Sequence, residues 1–216
     1  GTSGEAGQGN QISYSSPVQI GSLTTWSKVS GVNSFCHTIK TDGTLWFVGY
    51  GALGKGGHND NTQLSSPIQI GTLTSWNQVV AGGTGSAAIR NDNKMFTWGQ
   101  NSKGNLGDGT TINRSSPVQI GTGQWKQVSC GYHGHSAAIR TDGTLWGWGY
   151  NAYGPLGQNN TIDYSSPVQI GSASNWKVVA CPVYMTHAIN NAGELWTCGR
   201  GNFFGLGHGN NNNIST

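Results

Sequence analysis

Ser15-Ser16-Pro17-Val18-Gln19-Ile20-Gly21 is the first copy of the phrase that decides the fold of this chain. The phrase returns at residues 65–71 (with Ile68 for valine), 115–121 and 165–171, a step of 50 residues each time. A second phrase keeps this step and ends in an aromatic residue, at Trp46, Phe96, Trp146 and Trp196. Such a period predicts an array of units, each of which buries its apolar face against the next unit.

The repeat divides the 216 residues into four copies and two short ends. Residues 1–14 are interpreted as the tail of a preceding loop, and residues 215–216 as the start of a further repeat or the chain end. The chain starts at Gly1 without a signal-peptide pattern, so we expect it to begin after processing or to be a piece of something longer. The four repeats are 15–64, 65–114, 115–164 and 165–214.

The third repeat shows how one unit is built. Pro117–Ile120 is a short extended run, and Trp125–Ser129 alternates apolar and polar residues with the period of a strand. Ser136–Arg140 and Thr144–Trp148 are two further strand candidates, and Asp142-Gly143 between them is a tight-turn signal. A glycine-rich loop completes the unit, and no window has the 3.6-residue period of an amphipathic helix.

Four short strands in each repeated unit predict an all-β fold, a β-propeller-type array of four-stranded blades. A linear β-solenoid is the second interpretation of the same period. Solenoid coils are usually shorter, and a tight hairpin inside every unit fits a blade better.

Several phrases of the chain resemble the regulator of chromosome condensation repeat. They are Val128-Ser129-Cys130-Gly131, residues 135–139, 142–149 and 151–157, and the resemblance extends over all four repeats. Phe35, Gly85 and Met185 depart from it, because they replace His135 at equivalent positions.

Members of this family are β-propellers, commonly with seven blades, so the resemblance implies that four repeats are too few for a complete ring. We therefore expect further repeats, or neighbouring copies of the chain, to cover the two ends of the array. The alternative is that four blades close on themselves.

Composition limits the classes of function. Only 9% of the residues are charged, the formal net charge is +3, and glycine is abundant at 36 residues. Lys and Arg are scattered and no apolar run approaches 18 residues, so we expect no nucleic-acid binding and no membrane span. A neutral surface rich in Gly, Asn, Ser and Thr favours an extracellular or virion-surface location.

No set of residues is suited to catalysis. The glutamates are Glu5 and Glu194, far apart in sequence, and the recurring aspartates precede glycine in turns. We expect no enzymatic activity, no cofactor and no metal site. The four cysteines lack zinc-ligand spacing and are expected as buried thiols, with a Cys181–Cys198 disulfide as the alternative.

Recurrence separates core aromatics from candidate binding aromatics, because a structural residue is needed in every blade. The predicted structural core consists of the recurring residues Trp46, Phe96, Trp146, Trp196, Trp26, Trp76, Trp125 and Trp176. The candidate binding residues are the loop aromatics and histidines that do not recur in phase, Tyr132, His133, His135, Tyr153, Tyr184, Phe203 and Phe204.

Three functions remain open. The first is a non-catalytic binding or structural propeller of a virion or cell-surface appendage, with attachment to another protein or a surface glycan. The second is a secreted propeller that inhibits an enzyme by binding it. The third is implied by the resemblance: guanine-nucleotide exchange on a small GTPase.

Overall fold

Fifteen short strands and one 3-10 turn at Ala52–Gly54 make up the regular structure of the residues that the structure describes. The computed structural model describes residues 4–202 and 205–215. The strands are β1 (Trp26–Val32), β2 (Phe35–Lys40), β3 (Leu45–Gly49), β4 (Leu64–Gln69), β5 (Trp76–Ala81), β6 (Gly85–Arg90), β7 (Met95–Gly99), β8 (Arg114–Gln119), β9 (Trp125–Cys130), β10 (His135–Arg140), β11 (Leu145–Gly149), β12 (Tyr164–Gln169), β13 (Trp176–Ala180), β14 (Met185–Asn190) and β15 (Leu195–Gly199).

Consecutive strands pair antiparallel to form four separate sheets, which we call blades 1 to 4. Blade 1 is β1–β4, blade 2 is β5–β8, blade 3 is β9–β12, and blade 4 is β13–β15 with three strands. The first strands of successive blades contact each other, so they line the inner side of the array. The predicted all-β array of blades is confirmed.

The blades are offset from the sequence repeats. β4 contains Ser65-Ser66-Pro67, the opening phrase of repeat 2, yet it pairs with β3 of repeat 1 through Trp46↔Gln69. Blades 1 to 3 therefore each take their outermost strand from the following repeat, which links neighbouring units covalently as well as by packing.

The hairpin turns form as the Asp-Gly signal predicts. In blade 3 the Asp142 carboxylate accepts hydrogen bonds from the backbone N–H and the hydroxyl of Thr144, at 3.0 and 2.6 Å. Gly143 between them has a φ of 83°, a conformation that residues with a Cβ rarely adopt. The turn thus fixes the register of β10 against β11.

The cores lie between blades. Ile139 and Leu145 of blade 3 share one cluster with Trp176 and Val179 of blade 4, and equivalent clusters join blades 1 and 2 and blades 2 and 3. Each of blades 1 to 3 therefore has a trailing face, such as Ile139 and Leu145 in blade 3, that is buried by the leading face of the next blade. Burial of this apolar area is the main source of stability.

A polar contact recurs at the centre of each interface. The indole N–H of Trp98 in blade 2 donates to the Lys55 carbonyl in the loop of blade 1, at 3.1 Å. Trp148 of blade 3 repeats this bond to the Asn105 carbonyl at 3.0 Å, and the Cys198 thiol of blade 4 repeats it to the Pro155 carbonyl at 3.3 Å. The loop of one blade thus covers a buried donor of the next.

The predicted core tryptophans are placed differently from one another. Trp76, Trp125 and Trp176 are buried, while Trp26, Trp46, Phe96 and Trp146 are half-buried beside the hairpin turns. The core prediction is wrong for Trp196, which is 56% exposed because no described residue packs over the trailing face of blade 4 as blades 2 to 4 do for the others. The fully buried row lies two residues later, at Trp98 and Trp148.

All four cysteines are free thiols, so the Cys181–Cys198 pair does not form a disulfide. Burial raises the pKa of Cys181 and of Cys198 to about 12, which leaves both thiols protonated and unreactive. They act as small core residues.

The two tryptophans of β11 provide a first prediction. Trp148→Ala is expected to lower the free energy of unfolding by about 3–5 kcal/mol, because it empties a wholly buried site. Trp146→Ala should cost less, about 1–2 kcal/mol, since part of that ring already contacts water. Urea unfolding followed by circular dichroism measures both, and equal midpoints for the two variants would contradict the assignment of Trp148 to the core.

Two glycines with positive φ provide a second prediction about stability. Gly107 (φ 74°) lies so close to Trp148 that a Cβ there would be 2.9 Å from the indole, whereas a Cβ at Gly121 (φ 57°) would have no neighbour closer than 4.0 Å. Gly121→Ala should therefore cost only the backbone strain, about 1–2 kcal/mol. Gly107→Ala should cost clearly more in the same unfolding experiment, and a Gly107 variant as stable as the Gly121 variant would show that the loop does not clamp the indole.

Candidate functional site

Four of the predicted binding residues come together where blades 3 and 4 meet. We call this cluster the tyrosine patch; it consists of Tyr132, His133, Tyr150, Tyr153, Tyr184 and Arg200. Its residues come from the first hairpin turn of each blade and from the segment that follows the third strand.

Backbone hydrogen bonds place these two kinds of segment side by side. The N–H of Tyr150 donates to the Gly134 carbonyl at 3.1 Å, and the N–H of Arg200 donates to the Tyr184 carbonyl at 3.0 Å. The same bond occurs in blades 1 and 2, from Tyr50 to Ser34 and from Gln100 to Thr84. The scaffold is therefore common to all blades, and the side chains at these positions make the patch.

Ring stacking holds the patch together. His133 lies parallel to Tyr184, with ring centroids 4.2 Å apart and an interplanar angle of 4°. Tyr132 meets His133 edge-on at 4.9 Å, and Tyr153 meets Tyr184 edge-on at the same distance. Such pairs gain energy beyond the area they bury, so the rings hold one another in fixed orientations.

Arg200 adds a positive charge to the aromatic surface. Its guanidinium carbon lies 4.9 Å from the Tyr153 ring centre and 5.5 Å from that of Tyr184, within the range of cation–π attraction. Burial, followed by the neighbouring Tyr153 and Tyr184, raises the pKa of Tyr150, so its hydroxyl remains a donor at neutral pH. Tyr132 is 40% exposed and His133 is also exposed, which leaves this surface open to a partner.

A contact between distant blades fixes one edge of the patch. The Asn33 side-chain amide, in the first turn of blade 1, donates to the Tyr132 hydroxyl at 2.7 Å. This bond spans from blade 1 to blade 3 and therefore orders the turn that carries Tyr132 and His133.

His135 does not belong to the patch. It is wholly buried in β10, and its ring Nε2 lies 2.9 Å from the Met185 carbonyl of blade 4. A carbonyl only accepts, so Nε2 carries a proton, and because burial lowers the pKa of His135 to about 4, the ring is neutral at pH 7. The proposal of a binding role for His135 is wrong, because the alternation of β10 turns this side chain into the interface between blades.

Phe203 and Phe204 lie outside the described residues. Tyr150 and Arg200 are not among the predicted binding residues, because Tyr150 repeats the position of Tyr50 and Arg200 is not aromatic. Arg200 occupies the repeat position at which the first and third repeats carry Tyr50 and Tyr150. This departure from the repeat is the sequence signal that marks the position as variable.

Within residues 4–202 and 205–215, no group of three or more His, Cys, Asp or Glu side chains could hold a metal ion. In the same part of the chain no helix has the length and apolar character needed to cross a bilayer.

Family comparison agrees with the fold. Two models of the regulator of chromosome condensation (RCC1) repeat match the chain, one over residues 92–139 and 142–189 and the other over 76–105 and 125–154. Together they span residues 76–189, more than half of the chain. The chain belongs to the RCC1 repeat family.

Solved structures with the same fold are larger RCC1-type propellers. Human WBSCR16 has a TM-score of 0.82 and 20% identity, with 100% of this chain and 59% of that one covered. Yeast RCC1 (Prp20) bound to Kap60 has a TM-score of 0.78 and 17% identity, covering 90% of this chain and 48% of Prp20. This chain therefore spans about half to three-fifths of those propellers, and at such identities the likeness shows the fold alone. Curated protein sequences contain no match to it.

Burial of His135 predicts an acid-sensitive interface. Burial lowers the pKa of His135 from 6.5 to about 4, so between these values the unfolded chain binds a proton and the folded chain does not. The contribution of His135 to the free energy of unfolding is complete above pH 6.5. It decreases by about 3 kcal/mol as the pH falls to 4.

His135→Met, which places the residue of the equivalent position in blade 4, tests this. The variant is expected to lose less stability than the wild type between pH 7 and pH 4.5 in urea unfolding, although His37, with a pKa of about 3, still contributes acid sensitivity in both proteins. Parallel pH profiles for the two proteins would contradict the assignment of a neutral His135 in the folded state.

Proposed function

We propose that this RCC1-type propeller is a non-catalytic protein-binding module and that the tyrosine patch is its contact surface. The observation that carries the proposal is the set of His133, Tyr184, Tyr153 and Arg200, which ring and cation–π contacts hold together, with His133 exposed and the other three half-buried. Tyr and Arg are enriched at the energetic centres of protein interfaces. Rings that are already held in place lose little conformational freedom when a partner binds.

The relatives give this proposal a precedent. Yeast Prp20 was crystallised in complex with Kap60, and Prp20p was studied for its binding to Gsp1p and histones. We extend to this chain only the capacity to bind a protein. The partner proposed here is a protein rather than a surface glycan, because His133 and Tyr184 cover one face of each other's ring.

We further propose that the chain is a component of a virion or cell-surface appendage, with a role in attachment. The support is compositional: 9% charged residues and a surface rich in glycine and neutral polar residues. Labelling of intact particles or cells with an antibody raised against the chain tests this location. Signal that requires permeabilisation would count against it.

The binding proposal is tested with Tyr184→Ala and a matched control, Tyr50→Ala. Tyr50 occupies in blade 1 the position of Tyr150, is 41% exposed and lies outside the patch. Proteins captured by the wild type are identified by mass spectrometry, and their affinities for the three proteins are then measured by calorimetry. We expect Tyr184→Ala to weaken binding at least about 10-fold, as for a central interface aromatic, and Tyr50→Ala to leave it unchanged.

Equal affinity of all three proteins for the captured partner would place the binding surface elsewhere. Acceleration of nucleotide release from a small GTPase would favour the exchange-factor function instead, and inhibition of a captured enzyme would favour the inhibitor function. Binding to a glycan array in preference to protein would refute the choice of partner class.

A further inference from the structure

A groove of about 420 Å³, a volume typical of small-molecule sites, opens between blades 2 and 3. The loop at residues 107–109 and the linker at residues 121–123 line it from one side, and Trp125, Arg140 and Ser166 line it from blade 3. No residue of the tyrosine patch is among them. All the lining residues belong to blades 2 and 3 or to the loops that join them, so the groove is complete without a further blade.

The Arg140 guanidinium lies in this groove with its donors unused. Its carbon lies 3.7 Å from the Trp146 ring centre, and a Cβ built on Gly123 would lie 3.3 Å from its Nε. The indole and the glycine backbone therefore hold the group in place. Nε is buried without a hydrogen-bond partner, and no hydrogen bond or ion pair joins the guanidinium to any residue that the structure describes. A fixed guanidinium with free donors is suited to a planar acceptor such as a carboxylate.

The equivalent arginine of blade 2 behaves differently. Arg90 donates to the Asp92 carboxylate at 2.7 Å and does not line the corresponding groove between blades 1 and 2. In blade 3, Asp142 has the position of Asp92 but forms no ion pair with Arg140, which stays over the indole. The unpaired arginine is thus a property of this groove and not of the repeat.

The other charges around the groove leave it positive on balance. Asp108 lines it, but the Asp108 carboxylate already accepts from Arg114 Nε at 2.8 Å. Lys94 reaches its edge, where the ammonium donates to the Thr122 carbonyl at 2.9 Å, and none of the described carboxylates pairs with it. Lysine occupies this repeat position in the second repeat only, since the others carry threonine or glutamate there.

A shorter linker widens the groove in the third repeat. The linker from Gly121 to Trp125 is one residue shorter than its equivalents in the other repeats. It carries Gly123 at the position of Leu73, whose side chain lines the groove between blades 1 and 2. The loss of that side chain leaves room beside Arg140.

A second departure from the repeat frees a hydroxyl in the same groove. Between blades 1 and 2, the Ser116 hydroxyl donates to the Asn59 side-chain carbonyl at 3.2 Å. Between blades 2 and 3, Ser166 has the position of Ser116, and Gly109 has that of Asn59. The Ser166 hydroxyl therefore has no such acceptor, and within the described part of the chain it makes no other hydrogen bond.

We propose that the groove between blades 2 and 3 binds a small hydroxy carboxylate of the size of a free sugar acid. The two oxygens of the carboxylate accept from the Arg140 fork, and the Lys94 ammonium adds attraction at the edge. A hydroxyl of the ligand bonds to the Ser166 hydroxyl. A carboxylate fits better than phosphate, because a single guanidinium edge matches two coplanar oxygens and Asp108 in the wall repels a dianion.

The site is tested by NMR titration of the isotope-labelled protein with D-glucuronate, with D-glucose and acetate as matched controls. D-Glucose lacks the carboxylate and acetate lacks the hydroxyls, so each should bind at least about 10-fold more weakly than D-glucuronate. Inorganic phosphate should also bind more weakly. Chemical shift changes should centre on Gly123 and on the Arg140 side chain.

Variants then assign the binding to the groove. Arg140→Gln should weaken D-glucuronate binding at least about 10-fold, while Arg140→Lys, which keeps the charge but loses the fork, should have intermediate affinity. Lys94→Thr should weaken binding about 2–5-fold, because its ammonium is exposed. Arg90→Gln, the matched control in blade 2, should leave it unchanged. Tyr184→Ala should also leave it unchanged, which separates this site from the tyrosine patch.

Four results would overturn the proposal. They are a wild type whose spectrum does not change with D-glucuronate, equal affinity for D-glucose or acetate, tighter binding of phosphate, and an Arg140→Gln variant that binds like the wild type. Circular dichroism and a cooperative urea transition establish that each variant is folded, and Arg140→Lys keeps the test valid if Arg140→Gln does not fold.

Discussion

The apolar face of each blade can be buried only by the next blade, and the rest of the structure depends on this constraint. A four-stranded sheet of short strands has no second layer of its own, so Ile139 and Leu145 leave water only when Trp176 and Val179 of the following blade cover them. The donor at the centre of each interface is likewise satisfied only from outside its blade, by a carbonyl of the preceding loop. Stability is therefore shared along the array.

This dependence explains why the long loops are conformationally demanding. The loop must approach the indole of the next blade so closely that Gly107 cannot carry a side chain without moving Trp148. The polar backbone groups of the loop also need hydrogen-bond partners, and Asn101 supplies them. The side-chain carbonyl of Asn101 accepts from the Leu106 N–H, and its amide donates to the Ile112 carbonyl. The loops thus belong to the interface between blades as much as the strands do.

The first position after each third strand, where the long loop begins, is free from these demands, and there the side chains differ between repeats. Equivalent positions carry Tyr50, Gln100, Tyr150 and Arg200 on one repeated backbone geometry. Because the scaffold does not require a particular residue there, a local cluster such as the tyrosine patch can form between two blades without disturbing the others. This separation between repeated core and varied rim is the physical basis for the binding function proposed here.

The sequence by itself determined the strands, their order and the turns, because strand alternation and Asp-Gly turns are local properties that a 50-residue repeat displays four times. It also identified Tyr132, His133, Tyr153 and Tyr184 as candidates, since they depart from the repeat. Only the tertiary structure decided which residues share a blade, because pairing of β4 with β3 is a long-range contact that no local pattern encodes. Only the tertiary structure shows that His135 is buried and that Trp196 is exposed. The burial of each depends on whether another blade packs against the face of the sheet on which it lies.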